Sequence, residues 1–82
     1  MLVERYALEE ERLRSFLREL RGRNGLTQVE LASRLRAPQS FVSKYESGER
    51  TLSFTEVMEI IRVFSLSPAD FIQQLTTEKN EG

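Results

Sequence analysis

The sequence predicts an all-α domain of five helices, and three observations carry that prediction. Apolar residues recur at helical spacing from Leu13 onward; no stretch alternates apolar and polar residues as a half-buried strand would; and capping and terminating signals punctuate the chain at helix-length intervals. A chain of 82 residues is expected to form one domain with one modest core, burying about 60% of the unfolded surface, without room for a separate sensor or catalytic domain.

In the first helix, Leu13, Phe16, Leu17 and Leu20 stand at i, i+3, i+4 and i+7. The helix can start as early as Glu4, so residues 1–12 read as its acidic N-terminal extension, and Asn24-Gly25 supplies the left-handed residue that ends it. Thr27 caps the second helix and Glu30 completes a capping box, with Leu31, Ala32 and Leu35 as the inner face. Pro38 has a preset φ suited to the first turn of the third helix, whose Val42 and Tyr45 face inward and which closes at Ser47-Gly48. Ser53-Phe54-Thr55-Glu56 is a second capping box, opening a fourth helix with Phe54, Val57, Met58, Ile61 and Phe64 on one stripe. Ser67-Pro68-Ala69-Asp70 opens the fifth with a cap, a proline and an acid at the positive end of the dipole, and Phe71, Ile72 and Leu75 are its apolar residues. Residues 76–82 read as a frayed polar tail, so the domain proper spans 13–75.

Composition removes several classes of function. Cysteine and histidine are both absent, which excludes disulfides, thiolate or imidazole metal sites, cysteine nucleophiles and any triad with a histidine base. An enzyme is therefore not expected, and neither is a cofactor or a metal. Met1 to Glu11 holds four glutamates and no apolar run, so it reads as neither a signal peptide nor a membrane span, and a cytoplasmic location is the expectation. Glu9, Glu10 and Glu11 point in different directions on a helix and form a solvated face.

The pair Thr27-Gln28-Val29-Glu30-Leu31-Ala32 and Pro38-Gln39-Ser40-Phe41-Val42-Ser43-Lys44-Tyr45-Glu46 carries the functional reading. Each half is a short helix with a polar, hydrogen-bonding front and an apolar back, joined by a turn of about four residues, as a DNA-reading helix-turn-helix requires. From Leu13 to Ile72 the chain closely resembles the helix-turn-helix domains of the phage Cro and repressor family, also called the XRE type. The resemblance rests on Gly25-Leu26-Thr27-Gln28, Glu30-Leu31-Ala32, Gln39-Ser40 and Ser43-Lys44-Tyr45-Glu46-Ser47-Gly48, in order and with matching gaps. Two positions depart from the family pattern. Arg36 stands where the turn often has glycine, so either the turn is not fully left-handed or it carries about 1 kcal/mol of strain, and Pro38 offers no side-chain cap.

The resemblance implies a set of roles. Gln28 and Gln39 match a pair of residues that touch in the phage repressors, one gripping a phosphate and the other reading a base. Gln39 is the first candidate for base readout, with bidentate pairing to adenine N6/N7. Ser40 and Lys44 share the exposed face of the third helix, where Lys44 can donate to guanine O6/N7 or to a phosphate. Gln28, Ser43, Ser47 and Arg50 are the phosphate contacts. Arg21 and Glu46 match a structural ion pair that braces the first helix against the end of the third. Phe41 lies between the base-reading and core faces; it can meet a thymine methyl, although partial packing against the second helix is the simpler reading. Tyr45 reads as a core residue whose hydroxyl reaches solvent.

A net charge of −1 is not the basic footprint of a nucleic-acid binder. Its distribution answers the objection: residues 13–50 carry eight basic and four acidic groups, whereas both flanks are net acidic. The implied function is a sequence-specific transcriptional regulator, most simply a repressor, that binds an inverted-repeat operator in double-stranded DNA as a homodimer. Ile72 and Leu75 are the expected dimer surface, with Leu2, Tyr6 and Leu8 of the N-terminal extension as the alternative. Stand-alone members of the family include phage repressors, restriction-modification controllers and antitoxins, which the sequence does not separate. The other reading is a protein-interaction module, or an antitoxin, that keeps the fold and holds a protein partner.

Overall fold

The computed structural model describes residues 2–80, with side-chain surroundings for residues 6–77. Among the described residues the chain forms five helices and no strand: α1 (Leu2–Arg23), α2 (Gln28–Leu35), α3 (Gln39–Ser47), α4 (Phe54–Val63) and α5 (Pro68–Asn80). The all-α prediction holds. The long α1 packs on α3 and α5, giving the core Leu13, Phe16, Leu17 and Leu20; α2 packs on α3 and α4, and α4 closes against α5.

Local chemistry sets the helix boundaries. Both capping boxes form: the Thr27 hydroxyl accepts from the Glu30 amide at 3.0 Å, and the Ser53 hydroxyl from the Glu56 amide at 3.2 Å, with each glutamate returning to the cap amide. The Ser67 hydroxyl accepts from the Asp70 amide at the start of α5. Gly25 takes φ +71° after α1, and Gly48 takes φ +89° after α3. Ser65, between α4 and α5, is a left-handed residue that no glycine marked in advance.

The core joins Phe16, Leu17 and Leu20 of α1, Leu31 and Ala32 of α2, Val42 and Tyr45 of α3, Val57, Ile60 and Ile61 of α4, and Phe71 of α5. Phe16 and Phe71 meet edge-to-face, with centroids 5.6 Å apart, and so tie the last helix to the first.

The structure departs from the sequence expectation at five points. Phe54 is 77% exposed, because it is the first residue of α4 and lies beyond the reach of the core, while Ile60 takes a fully buried place on the apolar face. Leu75 is half-buried against the core, which leaves Ile72 (54% exposed) as the outward apolar residue of α5. The Tyr45 hydroxyl is buried and has no hydrogen-bond partner among the described residues. The helix of α5 continues from Thr76 to Asn80, and the Thr76 hydroxyl donates to the Ile72 carbonyl. The turn between α2 and α3 has three residues, Arg36-Ala37-Pro38, rather than about four. In the N-terminal extension Tyr6 and Leu8 are exposed, whereas the side chain of Leu2 lies outside the described residues.

Candidate nucleic-acid interface

Arg36 resolves the question posed by its missing glycine: at φ 58°, ψ 42° it is fully left-handed. Its amide donates to the Ser33 carbonyl and that of Ala37 to the Ala32 carbonyl at 2.9 Å, so a non-glycine residue closes the end of α2. Pro38 follows in the extended region without a side-chain cap, and its carbonyl accepts from the Phe41 amide. This tight turn angles α3 across α2.

The orientation of α3 is held from behind by an ion pair. Arg21 Nε and Nη2 donate to the two Glu46 carboxylate oxygens at 2.7 and 2.9 Å, and Arg21 Nη1 donates to the Leu26 carbonyl at 2.9 Å. The two side chains are only 16% and 4% exposed. Hydrogen bonding to the Glu46 carboxylate raises the Arg21 pKa above its ordinary value. The structural role predicted for this pair is what the geometry supports: it joins the ends of α1 and α3 and the loop before α2.

Glu46 has a second function that spacing alone did not reveal. The Gln28 amide donates to Glu46 Oε1 at 3.0 Å. Among the described residues no hydrogen bond joins Gln28 to Gln39, so the contact implied by the family pattern is replaced by one to Glu46. The Gln28 Nε2 keeps a second N–H, and its anchored amide stands at the start of α2.

The remaining candidates divide by helical spacing into two strips on α3. Gln39 and Ser43 form one strip, followed by Ser47; Ser40 and Lys44 form the other. Gln39, Ser40, Lys44 and Ser47 are exposed, and Ser43 is half-buried. The Ser43 hydroxyl donates to the Ser40 carbonyl at 3.3 Å and that of Ser47 to the Lys44 carbonyl at 3.0 Å, so a phosphate contact from either requires its single proton to turn outward.

Arg50 is the candidate whose surroundings differ most from a free loop cation. Its Nη1 and Nη2 donate to the Glu56 carboxylate at 2.9 and 2.8 Å, and its guanidinium lies 4.8 Å from the Phe41 ring centroid. Phe41 is half-buried and meets Tyr45 edge-to-face at 5.4 Å. Glu56 therefore caps α4 and brackets Arg50 at once; the hydrogen bonds from Arg50, then that from the Ser53 amide, lower its pKa to about 2. The Arg50–Glu56 pair crosses a loop at a separation of six residues, a distance with no helical signature, and the capping box had already accounted for Glu56.

Ala37, Pro38 and Phe41 line an open groove together with Ser40, Lys44, Glu49 and Arg50. One exposed face thus presents amides, hydroxyls, two cations, one carboxylate and a few apolar side chains. That set can meet base edges and phosphates. Among the described residues no group of acidic, histidine or cysteine side chains could hold a metal ion, and no helix is long and apolar enough to cross a membrane.

Comparison with curated proteins and with solved structures gives no significant match. Residues 12–71 match the family model described as "Helix-turn-helix domain", a span from the middle of α1 to the start of α5 that includes α2, the turn and α3. On that match over most of its length, the chain belongs to the helix-turn-helix domain family.

Proposed function

We propose that this protein is a transcriptional regulator of the Cro/repressor type, binding an inverted-repeat operator as a homodimer and acting as a repressor in the cytoplasm, without enzymatic activity. The observation that carries the reading is the outward presentation of Gln39, Ser40 and Lys44 on α3, beside a Gln28 amide oriented by Glu46. Gln39, Ser40 and Lys44 read bases; Gln28, Ser43, Ser47 and Arg50 hold phosphates. One recognition helix spans only about three to five base pairs, too few to specify a site in a genome, so two copies related by a twofold axis are needed. Ile72 on α5 is the apolar residue that supports pairing there, with Leu75 contributing its exposed edge. The matching half-sites lie one helical turn apart, about 34 Å or 10 base pairs centre to centre.

Control then comes from concentration, dimerisation or competition with polymerase. A gel shift on the DNA upstream of its own gene, against an unrelated duplex of equal length, tests the reading. Selective retention of the upstream fragment supports it, and equal retention of both fragments contradicts it.

A further inference from the structure

We infer that the groove lined by Ser40, Phe41 and Lys44 reads a thymine through its C5-methyl group, with Phe41 as the residue that recognises it. This rests on the proposal that α3 enters the major groove and names the base that one strip of α3 selects.

Three of the groove's lining residues, Ala37, Pro38 and Phe41, are apolar, beside the polar Ser40, Lys44, Glu49 and Arg50. Base edges in the major groove offer hydrogen-bond donors and acceptors and a single kind of apolar group, the thymine methyl. Apolar side chains within a base-reading surface therefore have one complementary partner on the base edges of duplex DNA. Ser40 and Lys44 in the groove lining supply the hydrogen bonds that neighbouring bases or phosphates take.

The Phe41 ring is held for this contact. Tyr45 meets it edge-to-face on the core side, with an interplanar angle of 66°, and Arg50 covers it at 4.8 Å. Two hydrogen bonds to Glu56 on α4 position Arg50 there. Phe41 packs against the core, as Phe64 does, and its half-exposed ring also lines an open groove together with the candidate base readers Ser40 and Lys44.

The test uses an operator that the wild-type protein selects from random duplex DNA, with each thymine of a half-site replaced in turn by uracil. Uracil keeps the pairing and the O4 acceptor and removes only the methyl. Burial of one methyl is worth about a fourfold change in Kd, so one thymine per half-site should lose about fourfold on replacement, and about fifteenfold when both half-sites are changed. Phe41→Ala should bind the thymine and uracil versions of that position equally. If Phe41→Ala does not fold, as judged by circular dichroism, Ala37→Asn places an amide in the same groove and should abolish the same discrimination. Uracil that is neutral at every position overturns the inference while leaving operator binding intact. Uracil sensitivity that persists in the folded groove variant assigns the methyl to another residue and overturns it too. Failure to select any operator overturns the DNA-reading proposal itself.

Discussion

Removing the carboxylate of Glu46 is a severe perturbation whose size follows from its partners. Glu46 accepts three hydrogen bonds, two from Arg21 and one from Gln28, with its own side chain 4% exposed. In Glu46→Ala the Arg21 guanidinium, 16% exposed, keeps only its bond to the Leu26 carbonyl. Breaking a buried pair by deleting one partner costs about 3–5 kcal/mol; the residual exposure of Arg21 lowers this to about 2–4 kcal/mol. For a domain of this size even the lower figure shifts Tm down by about 8–16 °C. The control is Glu59→Ala, whose pair with Arg62 is 56% and 74% exposed and should change stability by less than about 0.5 kcal/mol. Thermal melts of both variants followed by circular dichroism decide the matter. A Glu46→Ala loss no larger than the control's would refute the view that this pair braces α3. The double variant Arg21→Met/Glu46→Leu should recover most of the loss, because apolar residues of similar volume leave no buried charge unpaired.

The other predictions concern the turn, titration, DNA anchoring and pairing. Arg36→Gly should raise stability by about 0.5–1 kcal/mol in urea melts, since glycine takes the left-handed conformation without the Cβ penalty; a loss would show that Arg36 is held by something other than its backbone. Glu56, lowered to about 2 by Arg50 and Ser53, and Glu30, lowered by the Thr27 amide, make the folded state bind protons less readily than the unfolded chain. Their stabilisation is present above the ordinary carboxylate pKa of 4.5 and is lost as pH falls toward about 2. Burial raises the Tyr45 pKa, so its contribution is present below the ordinary value of 10.0 and is lost as pH rises above it. With no histidine in the chain, urea melts between about pH 5 and 9 should superimpose. Gln39→Ala should cost about 1–3 kcal/mol on the operator and relax selectivity at one base pair per half-site, whereas Arg50→Ala should weaken all sequences alike and lower the salt slope by about 1 per subunit; equal losses on operator and random DNA for Gln39→Ala would remove it as a reader. Ile72→Glu should weaken self-association in analytical ultracentrifugation with and without operator, and a variant dimer of unchanged strength would refute pairing through α5.

Features determined within a few residues were legible before the fold was known. Both capping boxes, the left-handed Gly25 and the inward residues of α2 and α3 follow from short-range hydrogen bonding and helical spacing. What was not legible depends on which elements meet. Phe54 continues the apolar period of α4, yet at the first position of the helix its side chain stays exposed, whereas Ile60 and Ile61 are both buried because the packed face of α4 is wider than a single stripe. The polar composition after Leu75 suggested fraying, but main-chain bonding and the Thr76 hydroxyl continue the helix. At the interface, the candidate residues could be named from the family pattern, but not the competition for them. Glu46 takes the Gln28 amide because the end of α1, the start of α2 and the end of α3 meet in space and not in sequence, and Glu56 and Phe41 hold Arg50 where the loop after α3 lies between that helix and the start of α4.

The central claim is that two copies of α3, related by a twofold axis, read DNA sequence. Selection of bound molecules from a pool of random duplex DNA measures this directly. The account predicts enrichment of an inverted repeat whose half-site centres lie about 10 base pairs apart, with the consensus changing at one base pair per half-site when selection is repeated with Gln39→Ala. A pool that shows no enrichment, or a consensus unchanged by that substitution, would contradict it.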